Sequence, residues 1–141
     1  MAATLDPSTK GGAHALERLA SEKIAWLTSV DPDGQPQASP IWFLWDDGEV
    51  LLYSRKGARR NDHVAERPRV SFNLNTDASG DEVVTMEGTV RVDVDGASAA
   101  ANPAYLAKYE RHILAYGWTA DWFAEQYPVI LRITPTRWRL G

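Results

Sequence analysis

Apolar residues in this chain recur mostly at every second position, in short runs separated by turn residues. Arg69 to Thr76 is the clearest case, with Val70, Phe72 and Leu74 on one face and Ser71, Asn73 and Asn75 on the other, as a half-buried strand requires. Ile24 to Val30 is rich in β-formers and runs into Asp31-Pro32-Asp33-Gly34, a composition that sets a turn. Gln35 to Trp45 reads as one long strand, placed at an edge or a bulge by Pro36 and Pro40. A second hairpin turn, Asp46-Asp47-Gly48, leads into a strand over Glu49 to Ser54. Glu82 to Asp95 is a longer strand that sets Val90, Val92 and Val94 opposite Arg91, Asp93 and Asp95, and Pro128 to Trp138 is the last, interrupted by Pro135.

Helical spacing occurs in four places. Ala13 to Glu22 carries Leu16, Leu19 and Ala20 on one stripe, and Arg59 to Glu66 is a short helix that stops before Pro68. The stretch from about Ala97 to Ala115 aligns Leu106, Tyr109, Ile113 and Tyr116. Gly117 breaks it, and Thr119 caps a final helix ending near Tyr127. Six strands joined mostly by hairpins, with short flanking helices, predict a mainly β (α+β) fold: a small six-stranded antiparallel barrel. Closure would protect the strand edges. No repeat or linker interrupts the pattern, so residues 13–141 read as a single domain behind a flexible N-terminus over 1–12.

The chain has 141 residues, 44% of them apolar, enough for a real core without staples. No apolar run is long enough to span a bilayer, and Met1 to Gly12 lacks the basic-then-apolar pattern of a signal peptide, so no membrane partner and a cytoplasmic location are expected. The absence of cysteine excludes disulfides, thiol chemistry and cysteine-held metals. His14, His63 and His112 fall in three separate predicted helices without a ligand-like partner, so no metal site is expected. Gly-x-Ser-x-Gly, Walker and Gly-x-Gly-x-x-Gly motifs are all missing.

Charge changes the picture. Ser54 to Arg69 holds Arg55, Lys56, Arg59, Arg60, Arg67 and Arg69 against Asp62 and Glu66, a net +4 in a chain of net −4, so the remainder carries −8. Within it, Tyr53-Ser54-Arg55-Lys56-Gly57-Ala58-Arg59-Arg60 runs from a strand through a Gly turn into a helix N-terminus. That offers a hydroxyl, free N–H groups and a favourable dipole together. Arg adds a fork suited to phosphate oxygens and Lys a compact charge. The competing reading, a solvated charge run, does not explain the placement at a strand-to-helix junction. The carrier of the phosphate stays open among cofactor, nucleotide and nucleic-acid backbone. The acidic remainder speaks against nucleic acid, which would show a steep salt dependence.

Two further groups accompany the basic segment. In Gln35 to Trp45, Gln37 and Ser39 can face a ligand, Phe43 and Leu44 read as core, and Trp42 serves equally well as a wall for a planar ring or as core. Toward the C-terminus, Tyr105, Tyr109, Tyr116, Trp118, Trp122, Phe123, Tyr127 and Trp138 suggest a ligand pocket or a subunit interface. Helices packed over a barrel mouth account for Tyr109 and Trp122. Trp118, directly after Gly117, is the ring best placed to project. No strong general acid is visible, leaving solvent or a Tyr or Ser hydroxyl as a proton source.

The ordered set of motifs resembles a known family. Ile24 to Trp45 is similar to the first hairpin of the pyridoxamine 5′-phosphate oxidase-like flavin and deazaflavin proteins. Leu52-Tyr-Ser-Arg-Lys-Gly-Ala-Arg-Arg, Arg67-Pro-Arg-Val-Ser-Phe and Met86-Glu-Gly-Thr-Val-Arg-Val follow in the family's order. Tyr116-Gly-Trp-Thr and Tyr127-Pro-Val-Ile-Leu-Arg-Ile-Thr-Pro-Thr-Arg resemble the actinobacterial branch that uses coenzyme F420. The resemblance spans roughly residues 13 to 140. It implies a split β-barrel homodimer of FMN/F420-binding type, with cofactor sites at the interface lined by both chains. It places the phosphate-bearing tail on Ser54, Arg55, Lys56 and Arg60 and the ring along Gln37, Ser39, Pro40, Ile41 and Trp42, with Tyr53 among the cofactor-binding residues. Aromatics of the partner chain, such as Trp118, would cover the ring. Arg60 stands where this branch often has Lys, His63 where it has Asn, and Lys56 where relatives have Pro. The implied activity is hydride transfer from reduced F420 to an unsaturated small-molecule substrate. The alternatives are an FMN-dependent oxidoreductase or a non-catalytic F420 carrier.

Overall fold

A computed structural model describes residues 2–141. In chain order the elements are α1 (Lys10–Ser21), β1 (Ala25–Val30), β2 (Pro36–Ile41), β3 (Leu44–Asp46), β4 (Glu49–Ser54), α2 (Arg59–Glu66), β5 (Arg69–Leu74) and β6 (Val84–Val92). A 3-10 turn (Ala99–Ala101), α3 (Pro103–Ala115), α4 (Ala120–Gln126) and β7 (Val129–Leu140) follow. The strands form one antiparallel sheet in the order β2-β1-β5-β6-β7-β4-β3. Its two edge strands, β2 and β3, are joined by only Trp42 and Phe43. A two-residue link between opposite edges is possible only if the sheet curls on itself, which produces the split barrel.

That link corrects the predicted count of six strands to seven, because the strand expected over 35–45 is two strands. The physical cause is a side chain from a distant helix. Phe43 N–H donates to the Tyr109 hydroxyl (2.9 Å), and Phe43 C=O accepts from that hydroxyl (3.0 Å) and from Lys108 Nζ (2.9 Å). Backbone groups that would otherwise belong to a ladder are thus satisfied outside it, and the chain can cross from one edge to the other.

Two apolar layers hold the molecule together. The barrel interior contains Leu27, Phe43, Val50, Leu52, Phe72, Leu74, Met86, Leu131 and Ile133, with Ala15 and Leu19 of α1 and Val64 of α2 packed against them. The second layer lies on the outer face of β4 and β7, where Leu51, Tyr53 and Ile130 meet Tyr105, Tyr109, Ile113 and Phe123. Consequently β4 is buried on both faces, which is why Val50-Leu51-Leu52-Tyr53 shows no alternation. Each large side chain in this layer contributes about 1.5–3 kcal/mol on burial, so α3 and α4 are integral to the barrel wall.

Several boundaries differ from the pattern. The helix expected from about Ala97 begins at Pro103, because Asn102 caps it by accepting from Tyr105 N–H (3.2 Å) and Pro103 suits the first helical position. The last strand continues through Pro135 to Leu140, since a bulge opposite Glu87 and Gly88 removes the need for a proline N–H. The N-terminal residues are tied to β7: Ala3 N–H donates to Pro135 C=O (2.8 Å) and Trp138 Nε1 to Ala3 C=O (3.1 Å). Leu5 packs on the core and Thr9 caps α1, which starts three residues before the expected Ala13.

Candidate functional site

The basic segment joins β4 to α2. Ser54 ends β4 with 1% exposure, and Arg55 and Lys56 stand exposed in the turn that follows. Gly57 takes φ +81°, a left-handed conformation that glycine adopts without steric cost, and Ala58 N–H closes the turn on Arg55 C=O (3.1 Å). Ala58 then occupies the N-cap of α2 with no side-chain oxygen to offer, so the first-turn N–H groups lack a side-chain cap. Four side-chain atoms wholly shut off from solvent have no hydrogen-bond partner among the described residues: Ser54 Oγ, Asn61 Oδ1, His63 Nδ1 and Arg67 Nη2. All four belong to the segment 54–69. Buried polar groups are ordinarily paired, so four unpartnered atoms within one short segment stand out from the rest of the described residues.

Arg60 is the pivot. Its Nη2 donates to Ser39 Oγ (2.7 Å), tying α2 to β2, and among the described residues no carboxylate pairs with it. Burial alone pulls its pKa below the ordinary arginine value, as for a cation without a counter-charge. Clefts open on both sides of it. One, of about 290 Å³, is aromatic and is lined by Arg60, Pro40, Ile41 and Leu52 with the rings of Trp42, Tyr53, Tyr105, Tyr116, Trp118, Phe123 and Tyr127. The other, of about 550 Å³, is polar and lies between the β1–β2 hairpin and α2, lined among others by Ser29, Asp31, Gln37, Ser39, Arg59, Arg60 and His63. There Asp31 accepts from Gln35 N–H, Asp33 N–H and Gln37 Nε2, and these bonds, the Gln35 N–H foremost, keep its carboxyl below the usual range.

The residues singled out from sequence are therefore distributed. Pro40, Ile41, Trp42, Tyr53, Arg60 and Trp118 share the aromatic cleft, while Gln37 and Ser39 meet Arg60 in the polar one. Ser54, Arg55 and Lys56 line neither and lie on the strand-to-helix turn beside them. Trp42 is both wall and packing, stacked on Tyr109 (centroids 4.9 Å, planes 7° apart) and on Phe123 (5.7 Å, 18°). Trp118 lines the cleft of its own chain, stacked on Tyr116 (4.6 Å, 18°). The aromatic density toward the C-terminus was legible as a ligand pocket or a subunit interface, and five of its rings, Tyr105, Tyr116, Trp118, Phe123 and Tyr127, line the cleft. Asp31 was legible only as a turn residue and Arg59 only as part of the basic run, because the cleft they line exists only once the hairpin meets α2.

The sheet, its crossover and the strand-to-helix cradle together specify a fold that known proteins share. A search of curated protein sequences gave no match. Among solved structures, a conserved hypothetical protein, Rv2991 from Mycobacterium tuberculosis, superposes with a TM-score of 0.71 at 22% identity, over 97% of this chain and 88% of that one. An F420 reductase superposes with a TM-score of 0.66 at 20% identity, over 87% and 94%. HutZ, the heme storage protein of Vibrio cholerae, superposes with a TM-score of 0.64 at 16% identity, over 98% and 95%. At these identities the likeness is one of fold, and the same barrel serves proteins of different function. The sequence profile of the pyridoxamine 5′-phosphate oxidase family matches residues 12–140, nearly the whole chain, and the protein belongs to that family.

Proposed function

We propose that this protein is an F420-dependent oxidoreductase, reducing an unsaturated small molecule with reduced deazaflavin as hydride source. The observation that carries the reading is the group of unpartnered buried polar atoms on the basic strand-to-helix segment, led by the Ser54 hydroxyl. A phosphate fits the donors of this segment: Ser54 Oγ, the N–H groups of α2 without a side-chain cap, and Arg60, which pairs with no carboxylate among the described residues; Asn61 Oδ1, an acceptor, takes no part. When bound, the deazaflavin supplies the hydride. The chain's own residues hold the phosphate, present the Gln37-to-Trp42 strand to a flat ring, and exclude water with the aromatic walls. A homodimer with the cofactor at its interface is part of the proposal. FMN, the alternative cofactor, has one phosphate and no acidic tail, and would leave the exposed Arg55 and Lys56 with less to neutralise. A heme carries no phosphate and would leave the Ser54 cradle empty.

The test is a titration of the purified protein with F420, FMN and hemin, followed by tryptophan quenching and calorimetry. The expected result is micromolar F420 binding near one site per chain, weakened by Arg60→Ala by about 1.5–3 kcal/mol, as for a lost charge-assisted bond. Tighter FMN binding would move the protein to the FMN-dependent reading. Binding of neither, or an Arg60→Ala affinity equal to wild type, would refute the assignment. Turnover of substrate with reduced F420 separates an enzyme from a carrier.

A further inference from the structure

Three tyrosines pack in a row between the barrel and α3–α4, Tyr53 edge-on to Tyr105 (81°) and Tyr105 tilted against Tyr109 (38°), and their hydroxyls are used differently. Tyr53 Oη donates to Ala97 C=O (2.9 Å) and accepts from Asn102 Nδ2 (3.0 Å). Tyr109 Oη accepts from Phe43 N–H (2.9 Å) and donates to Lys23 C=O (2.7 Å). Tyr105 lies between them, with ring centroids 4.7 Å from Tyr53 and 4.9 Å from Tyr109 and 1% exposure. Its hydroxyl makes no hydrogen bond among the described residues, and the residue lines the aromatic cleft. A tyrosine this deeply placed normally finds a partner for its O–H. Asn102, which could have served it, is committed to the Tyr105 backbone N–H and to the Tyr53 hydroxyl. The cleft is what remains for the Tyr105 hydroxyl to face.

We propose that Tyr105 is a ligand-binding residue whose hydroxyl donates a hydrogen bond to a carbonyl oxygen of a planar, conjugated molecule held in the aromatic cleft. The occupant's flatness follows from the walls, where Trp42 and Phe123 are stacked 18° apart and Phe123 and Tyr127 17° apart at 4.5 Å. Its acceptor character follows from the lining, in which Arg60 is the single charged side chain and no carboxylate is present. Burial, reinforced by the neighbouring Tyr109, Tyr53 and Tyr127, pushes the Tyr105 hydroxyl well above the ordinary tyrosine range, so it stays a neutral donor at all working pH values. A carbonyl of this kind belongs to the ring of a flavin-type cofactor or to a conjugated substrate. The inference rests on the reading of this cleft as the place where one of these sits.

Tyr105→Phe removes the hydroxyl and leaves the ring. Wild type and variant would be titrated with F420, with FMN and with menadione, a flat conjugated diketone lacking phosphate, and melted by calorimetry beside Tyr109→Phe. The expected outcome is a melting temperature at the wild-type value, because no internal bond is lost, with at least one probe bound about tenfold more weakly. Weakening of F420 or FMN assigns the acceptor to the cofactor ring, and weakening of menadione alone assigns it to the substrate. A melting temperature lowered as far as that of Tyr109→Phe, unchanged affinity for all three probes, or no probe binding wild type would each overturn the proposal. F420 binding that depends on Arg60 but not on Tyr105 would reject Tyr105 and leave the proposed function standing. Tyr105-dependent binding of menadione by a protein that takes neither F420 nor FMN would do the reverse.

Discussion

The crossover from β2 to β3 depends on one hydroxyl, and Tyr109→Phe measures how much. Tyr109 and Phe43 are both fully buried, so the substitution keeps the ring, its packing and its stacking on Trp42. It removes the acceptor of Phe43 N–H and the one hydroxyl proton shared between Lys23 C=O (2.7 Å) and Phe43 C=O (3.0 Å). Phe43 C=O keeps Lys108 Nζ at 2.9 Å and is not orphaned. The loss is therefore two hydrogen bonds, about 1 kcal/mol each, of which the one to Phe43 leaves a buried N–H unpaired at about 1–3 kcal/mol. Because those figures overlap for the same bond, about 2–4 kcal/mol is expected in all. Urea unfolding followed by tryptophan fluorescence reads this as a lower midpoint with an unchanged slope. A loss below about 0.5 kcal/mol, the range of an ordinary surface change, would refute the claim that this hydroxyl holds the strand break in place.

Other predictions address different parts of the fold. Gly88→Ala puts a Cβ 2.6 Å from Ile133 Cγ2 and 2.9 Å from Thr134 C=O at the bulge, and should cost about 1–3 kcal/mol in the same unfolding assay. Asn102→Ala removes the α3 cap and the donor to Tyr53 and should cost about 1–2 kcal/mol, with amide exchange accelerating first in the opening turn of α3. Lys108 has its pKa pulled down to about 8, chiefly by burial, then by Lys23. Between about 8 and 10 the unfolded chain, whose lysine titrates near 10.5, holds more protons than the folded one, so stability should rise with pH. Above 10 the sign reverses, because Tyr105 and Tyr109 stay protonated when folded but ionise when unfolded, and stability should fall. Lys108→Met should flatten the rise and keep the fall, as read from melting temperatures across that range.

What the chain's own pattern determined was local. Alternation in Arg69 to Thr76, the turns at Asp31–Gly34 and Asp46–Gly48, and the short helix from Arg59 each depend on neighbours a few residues away, and each lies where the pattern places it. The basic turn was legible for the same reason, since a strand, a glycine and a helix N-terminus are all written within eight residues. Tertiary structure decided the rest. The strand over 35–45 divides because Tyr109, 66 positions from Phe43 along the chain, takes over its backbone bonds. Strand β4 loses its alternation because α3 and α4 cover its second face. The two clefts exist only where a hairpin and two helices converge on Arg60. Spacing reports which face of an element is apolar, whereas a hydroxyl left without a partner, as on Ser54 or Tyr105, shows itself only after every neighbour has been placed.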